Sequence, residues 1–277
     1  MEVITEEGRV SYLRGNVTLT HGNTVITGET GIVYEKEERA ILKGGVKIVD
    51  DSTEIFAESA TYYKNESKAV LKDNVAVKTP NETIFADSMV YFRISEKTYG
   101  FGNIRILNKE EDLLIEGEEG YYDLKNEYGR LYKKPVLKLK GEEEIEVRSG
   151  CMELFQNLSK VVATHNVSIK TERMDARCDS LVYFIKDETA SLLGNPIMSE
   201  KENSIEGEVI TIYFTDEEVK EALVCGSAYG EYKLEDGINR TYGDTIRIEF
   251  KESKMHLISV EGNARGEYER IEHKEVN

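Results

Sequence analysis

The chain has 277 residues, with 36 Lys plus Arg against 53 Asp plus Glu, a formal net charge of −17. That balance excludes non-specific binding to nucleic acid or to an anionic membrane surface, since both need positive charge to meet phosphate. Hydrophobic residues make up 39%, too many for a disordered acidic chain, and the length buries a core without metal or disulfide staples. No apolar run approaches the ~18 residues of a membrane-crossing helix. Residues 1–8, MEVITEEG, have neither the basic nor the apolar segment of a signal peptide, so an exported form is expected to have lost its leader beforehand. Cys151, Cys178 and Cys225 are an odd number without a C-x-x-C, and read as small buried residues.

Along the chain one pattern returns. Residues 15–34 read GNVTLTHGNTVITGETGIVY, residues 44–63 GGVKIVDDSTEIFAESATYY and residues 73–92 DNVAVKTPNETIFADSMVYF. Each opens on a turn pair, continues apolar-x-apolar and passes a polar turn. Each then runs through Ile, a small residue, an acid and an apolar or aromatic pair. The pattern continues at 102–122, 134–155, 165–184 and 195–214, and fades after residue 228. The anchors are Val17, Val46, Val75, Ile104, Val136, Val167, Ile197, Ala228 and Ala264, at intervals of 29, 29, 29, 32, 31, 30, 31 and 36. Such a period marks a repeat architecture.

Inside each copy the period is two. Val17 shares a face with Leu19, Val46 with Ile48, Val75 with Val77 and Ile104 with Ile106, which is strand patterning. Ile26, Gly28, Thr30, Ile32 and Tyr34 continue one alternation in the next strand. Sixteen Tyr and eight Phe raise strand propensity. The three prolines, Pro80, Pro135 and Pro196, fall at turns or strand starts, where a missing N–H is tolerated. The short Glu/Lys-rich stretches 35–39 and 64–68 read as polar turns. The expectation is an all-β chain of about eight repeats of roughly thirty residues, each of two or three short strands stacked into one continuous domain over 1–277. A β-helix, a propeller and an elongated jelly roll would each satisfy this, although a propeller blade needs about forty residues.

The recurring string G-N-V-x-L, I-x-G/A-E/D-x-G-x-x-Y, R-A-x-L-x-G resembles the OstA-like repeat of the lipopolysaccharide transport proteins, the family of LptA and of the LptD N-terminal domain. The clearest copies are 15–44 and 73–103. The resemblance implies an elongated open β-jelly roll in the periplasm, with lipopolysaccharide or a similar lipid as cargo. It also implies end-to-end contact with itself or with homologous jelly-roll partners at the inner and outer membranes, and no catalytic residue or cofactor. About eight repeats exceed the five or six usual in the bridge protein. A long bridge protein, a fused pair and the soluble part of a larger assembly all remain open.

On that resemblance an acyl-chain groove is expected along Val17, Leu19, Ile26, Gly28, Ile32, Val46, Ile48, Ile55, Ala57, Val75, Val77, Ile84, Ala86, Ile104, Ile106, Ile115, Gly117, Val147 and Ile205. The column Gly28, Ala57, Ala86, Gly117, Ser149, Cys178, Gly207 is uniformly small, and lies two residues after a column that is mostly Ile. It leaves space for a groove, or else permits tight packing at a corner. The acids that follow it, Glu29, Glu58, Asp87, Glu118, Asp179 and Glu208, face solvent by parity and read as a solubility device.

Enzyme chemistry finds no support in the motifs. His21, His165, His256 and His273 share no repeat column, and no H-E-x-x-H, G-x-S-x-G or phosphate-binding loop occurs. Neither a metal nor a cofactor is expected. The sequons at Asn16, Asn65, Asn81, Asn157 and Asn166 read as turn asparagines before strand residues. The alternative function is a structural or adhesive scaffold with a solid interior. Residues 9–17 match only the second half of a repeat, so an unfinished edge near Val10 and Tyr12 is expected to invite pairing, unless Glu2, Glu6, Glu7 and Arg9 block it.

Overall fold

In the computed structural model, residues 2–5, 8–50, 52–108, 113–139, 144–215, 218–251 and 254–270 are described. Glu6, Glu7 and His273, which the sequence reading singled out, lie outside them. The chain divides into two compact units, Met1–Pro135 and Val136–Asn277. Among the described residues the helical content is one 3-10 turn, Gln156–Leu158.

The first unit is a meander. Its strands are β1 (Glu2–Thr5), β2 (Gly8–His21), β3 (Thr24–Tyr34), β4 (Arg39–Asp50), β5 (Thr53–Tyr63), β6 (Lys68–Lys78), β7 (Glu82–Phe92), β8 (Lys97–Asn108), β9 (Leu113–Asp123) and β10 (Tyr128–Tyr132). Each pairs antiparallel with the next in sequence. Tight turns at 35–38 and 64–67 sit where the Glu/Lys-rich stretches predicted them, and a further one lies at 93–96. Successive turns are strapped by Lys64 N–H to the Glu38 carbonyl and Arg93 N–H to the Ser67 carbonyl, both at 2.9 Å.

The turn pairs of the repeat are not turns between strands. They sit in the middle of strands of eleven to fourteen residues. Gly15–Asn16, Gly44–Gly45, Asp73–Asn74 and Gly102–Asn103 all have positive φ, from +47° to +81°. Two such residues oppose one on the next strand: Lys43 pairs Ser59 and Val46 pairs Ala57, so Gly44 and Gly45 face Glu58 alone. This is a β-bulge, which bends its strand. The short strands expected from sequence are therefore the two halves of bent, continuous ones.

The bend folds the sheet over itself. Asp50 ends β4, and the strand pairings place Tyr91 near the opposite end of β7. Ten residues of straight strand would separate those levels by roughly 33 Å. Instead Tyr91 Oη lies 3.0 Å from Asp50 Oδ2. Two layers thus face each other, joined along the line of corners, in the manner of a jelly roll.

The second unit contains β11 (Val136–Leu139), β12 (Ile145–Arg148), β13 (Cys151–Phe155), β14 (Lys160–Lys170), β15 (Met174–Phe184), β16 (Thr189–Leu193), β17 (Ile197–Glu200), β18 (Asn203–Glu206), β19 (Val209–Thr215), β20 (Glu218–Lys233), β21 (Gly237–Lys251), β22 (Lys254–Glu261) and β23 (Arg265–Arg270). The same left-handed pairs recur at His165–Asn166, Gly194–Asn195, Gly226–Ser227 and Gly262–Asn263. Between β16 and β17 the corner is followed by Pro196, which has no ladder N–H, and the strand breaks. Pro135 follows Lys133–Lys134 in the same way.

These prolines correct two anchors. Pro135 and Pro196 are buried and take the inward position after the corner, while Val136 is half-buried and Ile197 is 46% exposed. The expected edge near Val10 is also corrected. β1 pairs with β2 through Val3 to Val10 and Glu2 to Ser11, so that stretch is covered. The uncovered edge of β2 begins at Tyr12.

The acids beside the small column are solvent-exposed and have a second role. A Cβ on Gly44 would fall 2.6 Å from Glu29 Oε2, and one on Gly102 would collide with Asp87. Asn103 Nδ2 donates to Asp87 Oδ2 at 2.9 Å. At the corner that lacks Gly or Asn, Lys134 pairs with Glu118 at 3.6 Å. Replacing Gly102 by Val should therefore cost about 1–3 kcal/mol from left-handed strain, with a further loss from the clash. Gly45→Asn, where nothing lies within 4 Å, should be nearly neutral because Asn tolerates this conformation. Urea unfolding of the two variants checks the contrast.

Candidate functional site

The interior of the first unit is built from rows of side chains that oppose one another across strands. The longest is Leu19, Ile26, Ile48, Ile55, Val77, Ile84, Ile106, Ile115. Ile26 through Ile115 are 0–3% exposed, and Leu19, on the first long strand, is half-buried. Full burial of such a side chain stabilises by about 1.5–3 kcal/mol. Nearer the corner, bulky and small residues alternate as direct pairs: Val17 with Gly28, Val46 with Ala57, Val75 with Ala86 and Ile104 with Gly117. The second unit repeats the aliphatic row with Leu137, Val147, Ile169, Ala176, Met198 and Ile205, all buried.

The small positions are occupied space. A Cβ on Gly28 would lie 3.4 Å from Leu42 Cβ, and one on Gly117 would lie 2.9 Å from Leu131 Cδ2. Leu42 and Leu131 are 0% and 1% exposed. The column lets a leucine pack against the corner, which was the second of its two readings from sequence.

Ile32 is corrected outright. The register slip between Thr27 and Thr30 reverses parity past the corner, so Gly31 faces in and Ile32 faces out. On the outer face Tyr12, Ile32, Ile41, Thr61, Val70, Val90, Tyr99 and Tyr121 lie directly opposite one another. A shallow concavity of about 460 Å³ opens there among Val90, Phe92, Ser95, Lys97, Tyr99 and Phe101.

A set of residues that the sequence reading missed joins the two layers at the side away from the corners. Tyr91 donates to Asp50 Oδ2, while Thr24 Oγ1, beside Asp50 on the same layer, donates to Asp50 Oδ1 at 2.8 Å. Tyr122 donates to Glu82 Oε2. A 2.6 Å hydrogen bond joins His21 Nδ1 and the Tyr62 hydroxyl. Apart from half-buried His21, all of these residues are buried. The pairs are 41, 41 and 40 residues apart in the chain. The available signal was a tyrosine one residue before the strand end at 62, 91 and 122, together with a polar residue at the far strand end.

The cysteines offer no reactive centre. None of the three forms a disulfide among the described residues, Cys151 and Cys178 are buried, and burial pushes the Cys178 thiol up to about 11, away from the thiolate form that a nucleophile needs.

Burial, then the neighbouring carboxylate, raises the Tyr91 and Tyr122 phenols above their ordinary value of 10. Burial raises Tyr62 as well. The folded protein keeps these phenols protonated while the unfolded chain releases the protons, so stability is held below pH 10 and falls above it. Each phenol withdraws about 1.4 kcal/mol per pH unit there. Urea midpoints from pH 8 to 11 should fall steeply above 10, and the Tyr91→Phe/Tyr122→Phe variant should show a shallower fall.

Comparison with known proteins follows from this geometry. The profile of the LptA/(LptD N-terminal domain) LPS transport protein family matches residues 2–97 and 54–219. The crystal structure of LptH, the LptA homologous periplasmic component of the lipopolysaccharide transport device of Pseudomonas aeruginosa, aligns over 48% of this chain and 76% of that one. The identity is 11% and the TM-score 0.24. No curated protein sequence gives a significant match. The two profile matches together span residues 2–219 of 277, and the chain belongs to the family of lipopolysaccharide transport proteins that contains LptA and the LptD N-terminal domain.

Proposed function

We propose that this chain carries lipopolysaccharide acyl chains between its two layers in the periplasm, bridging the inner and outer membranes by contact with jelly-roll partners. One observation carries the reading beyond family membership. The aliphatic row from Leu19 to Ile115 crosses eight strands without a polar interruption, a track roughly 34 Å long at strand spacing. Acyl chains bind such a surface through apolar area alone, contributing about 0.8 kcal/mol per buried CH₂. The track holds no charge to read a phosphate, and the net charge of −17 opposes phosphate capture, so the head group stays outside.

Two edges support transfer between molecules. In the first unit, the ladder of β2 from Tyr12 to His21 lies beyond the reach of β1. In the second unit, Met255 and Leu257 of β22 and Tyr268 of β23 are 44%, 49% and 52% exposed. An open ladder and exposed apolar side chains together invite a further strand. The scaffold reading draws on a different observation, the closed packing of Leu42 over Gly28 and Leu131 over Gly117. Under the carrier reading those contacts separate when a chain enters.

Three outcomes follow. Calorimetry with an acyl amphiphile series should show affinity rising with chain length. Strict dependence on phosphates without a chain-length effect contradicts the proposal. Ile84→Asp should destabilise by roughly 3 kcal/mol or more through a buried unpaired charge, and should abolish binding. Met255→Glu with Leu257→Glu should weaken self-association or capture of a jelly-roll partner in analytical ultracentrifugation. Unchanged association removes the C-terminal edge from the account.

A further inference from the structure

The polar seam opposite the corners differs in kind from the rest of the interior. One lip carries His21, Asp50 and Glu82 at the ends of their strands, and the other carries Tyr62, Tyr91 and Tyr122. Three side-chain hydrogen bonds cross from lip to lip. Arg93, from the turn beside Tyr91, lies near the other lip, its Nη1 3.7 Å from where a Cβ added to Gly22 would stand. Among the described residues no backbone hydrogen bond crosses this seam. Within the first unit the ladders join consecutive strands, and the turn straps stay on one lip.

We propose that these tyrosine–acid and tyrosine–histidine pairs are latches on a side opening, through which an acyl chain enters the interior of the first unit along its length. The entry step rests on the acyl-carriage reading given above. The latch itself rests on the geometry of the seam.

The chemistry of the seam suits an opening better than a permanent closure. A seam meant to stay shut gains from apolar residues, since replacing buried polar pairs by well-packed hydrophobic ones is often neutral or stabilising. A seam that opens must expose its lips to water. Phenols, carboxylates and an imidazole tolerate that exposure because water replaces the bonds they lose, whereas apolar lips would meet water at full cost. Closed, each phenol is hydrogen-bonded to its partner across the seam, as a buried polar group needs.

The corners supply the hinge. There the backbones of β2, β4, β6 and β8 leave extended geometry, and the ladder already slips register. Swinging one layer away from the other breaks side-chain contacts across the interior and the three latches, and leaves every ladder hydrogen bond within each layer intact. An entering acyl chain then occupies the space between Leu42 or Leu71 on one layer and Ile48 or Ile55 on the other.

The test uses an interior reporter. Ala60 is 1% exposed and lies in the inward row next to that of Tyr62, so Ala60→Cys places a thiol behind the latch. Maleimide labelling of that introduced thiol, read by peptide mapping apart from the three native cysteines, is compared between this variant and the same variant carrying Tyr62→Phe, Tyr91→Phe and Tyr122→Phe. The latch predicts labelling faster by about tenfold or more in the triple variant, the size of one lost hydrogen bond to a charged group, with circular dichroism showing both proteins folded. Labelling that stays unchanged, or that rises only in step with global unfolding, overturns the latch. A fluorescent fatty acid supplies the second arm, with association faster in the triple variant by a similar factor. If the fatty acid binds neither protein while labelling of the introduced thiol accelerates, the latch stands and acyl carriage falls. If it binds both at the same rate and labelling does not change, carriage stands and the latch falls.

Discussion

The left-handed pair in the middle of every second long strand is the constraint on which the rest of this structure depends. Two consecutive residues with positive φ cannot continue a flat ladder, so every second strand bends at the same level and the whole sheet bends with it. Glycine and asparagine meet the conformational demand at most corners. The exposed acid on the neighbouring strand packs against the first residue of the pair, at Glu29 against Gly44 and at Asp87 against Gly102. A chain without these pairs would form an open sheet with one apolar face exposed. With them, the two halves of each strand bury their inward faces against each other.

Burial in the first unit follows from that fold. The aliphatic row from Ile26 to Ile115 supplies apolar area, and the small residues beside the corner let Leu42 and Leu131 approach. At the opposite side the layers meet through Tyr62, Tyr91 and Tyr122 rather than through backbone pairing. The structure is therefore strongly tied along each layer and weakly tied across the seam. Under the proposed carriage of acyl chains, that asymmetry lets cargo reach the apolar interior without dismantling the sheet.

Much of this was legible in the residues. The 29-residue register and the period of two identify the strands, the turns at 35–38 and 64–67, and the inward column at Ile26, Ile55, Ile84 and Ile115. Three things were not. Parity past the corner fails because a two-against-one slip reverses it, which moves Ile32 outward and Gly31 inward. The anchors at Val136 and Ile197 miss by one because Pro135 and Pro196 take the position after the corner. The seam was invisible because its partners lie about forty residues apart and meet only once the strands are folded. Tyr91 and Asp50 share no local pattern, and only the bend brings them to 3.0 Å.

The proposal that acyl chains enter the interior is examined most directly by the position of contact. Photocrosslinking side chains placed in cells at the inward positions Ile55, Ile84 and Ile106, and at the outward neighbours Phe56, Phe85 and Arg105, sample both faces of the same strands. The account predicts lipopolysaccharide adducts from the three inward positions and none from the three outward ones. Adducts confined to the outward positions, with the inward ones silent in a folded protein, would contradict it.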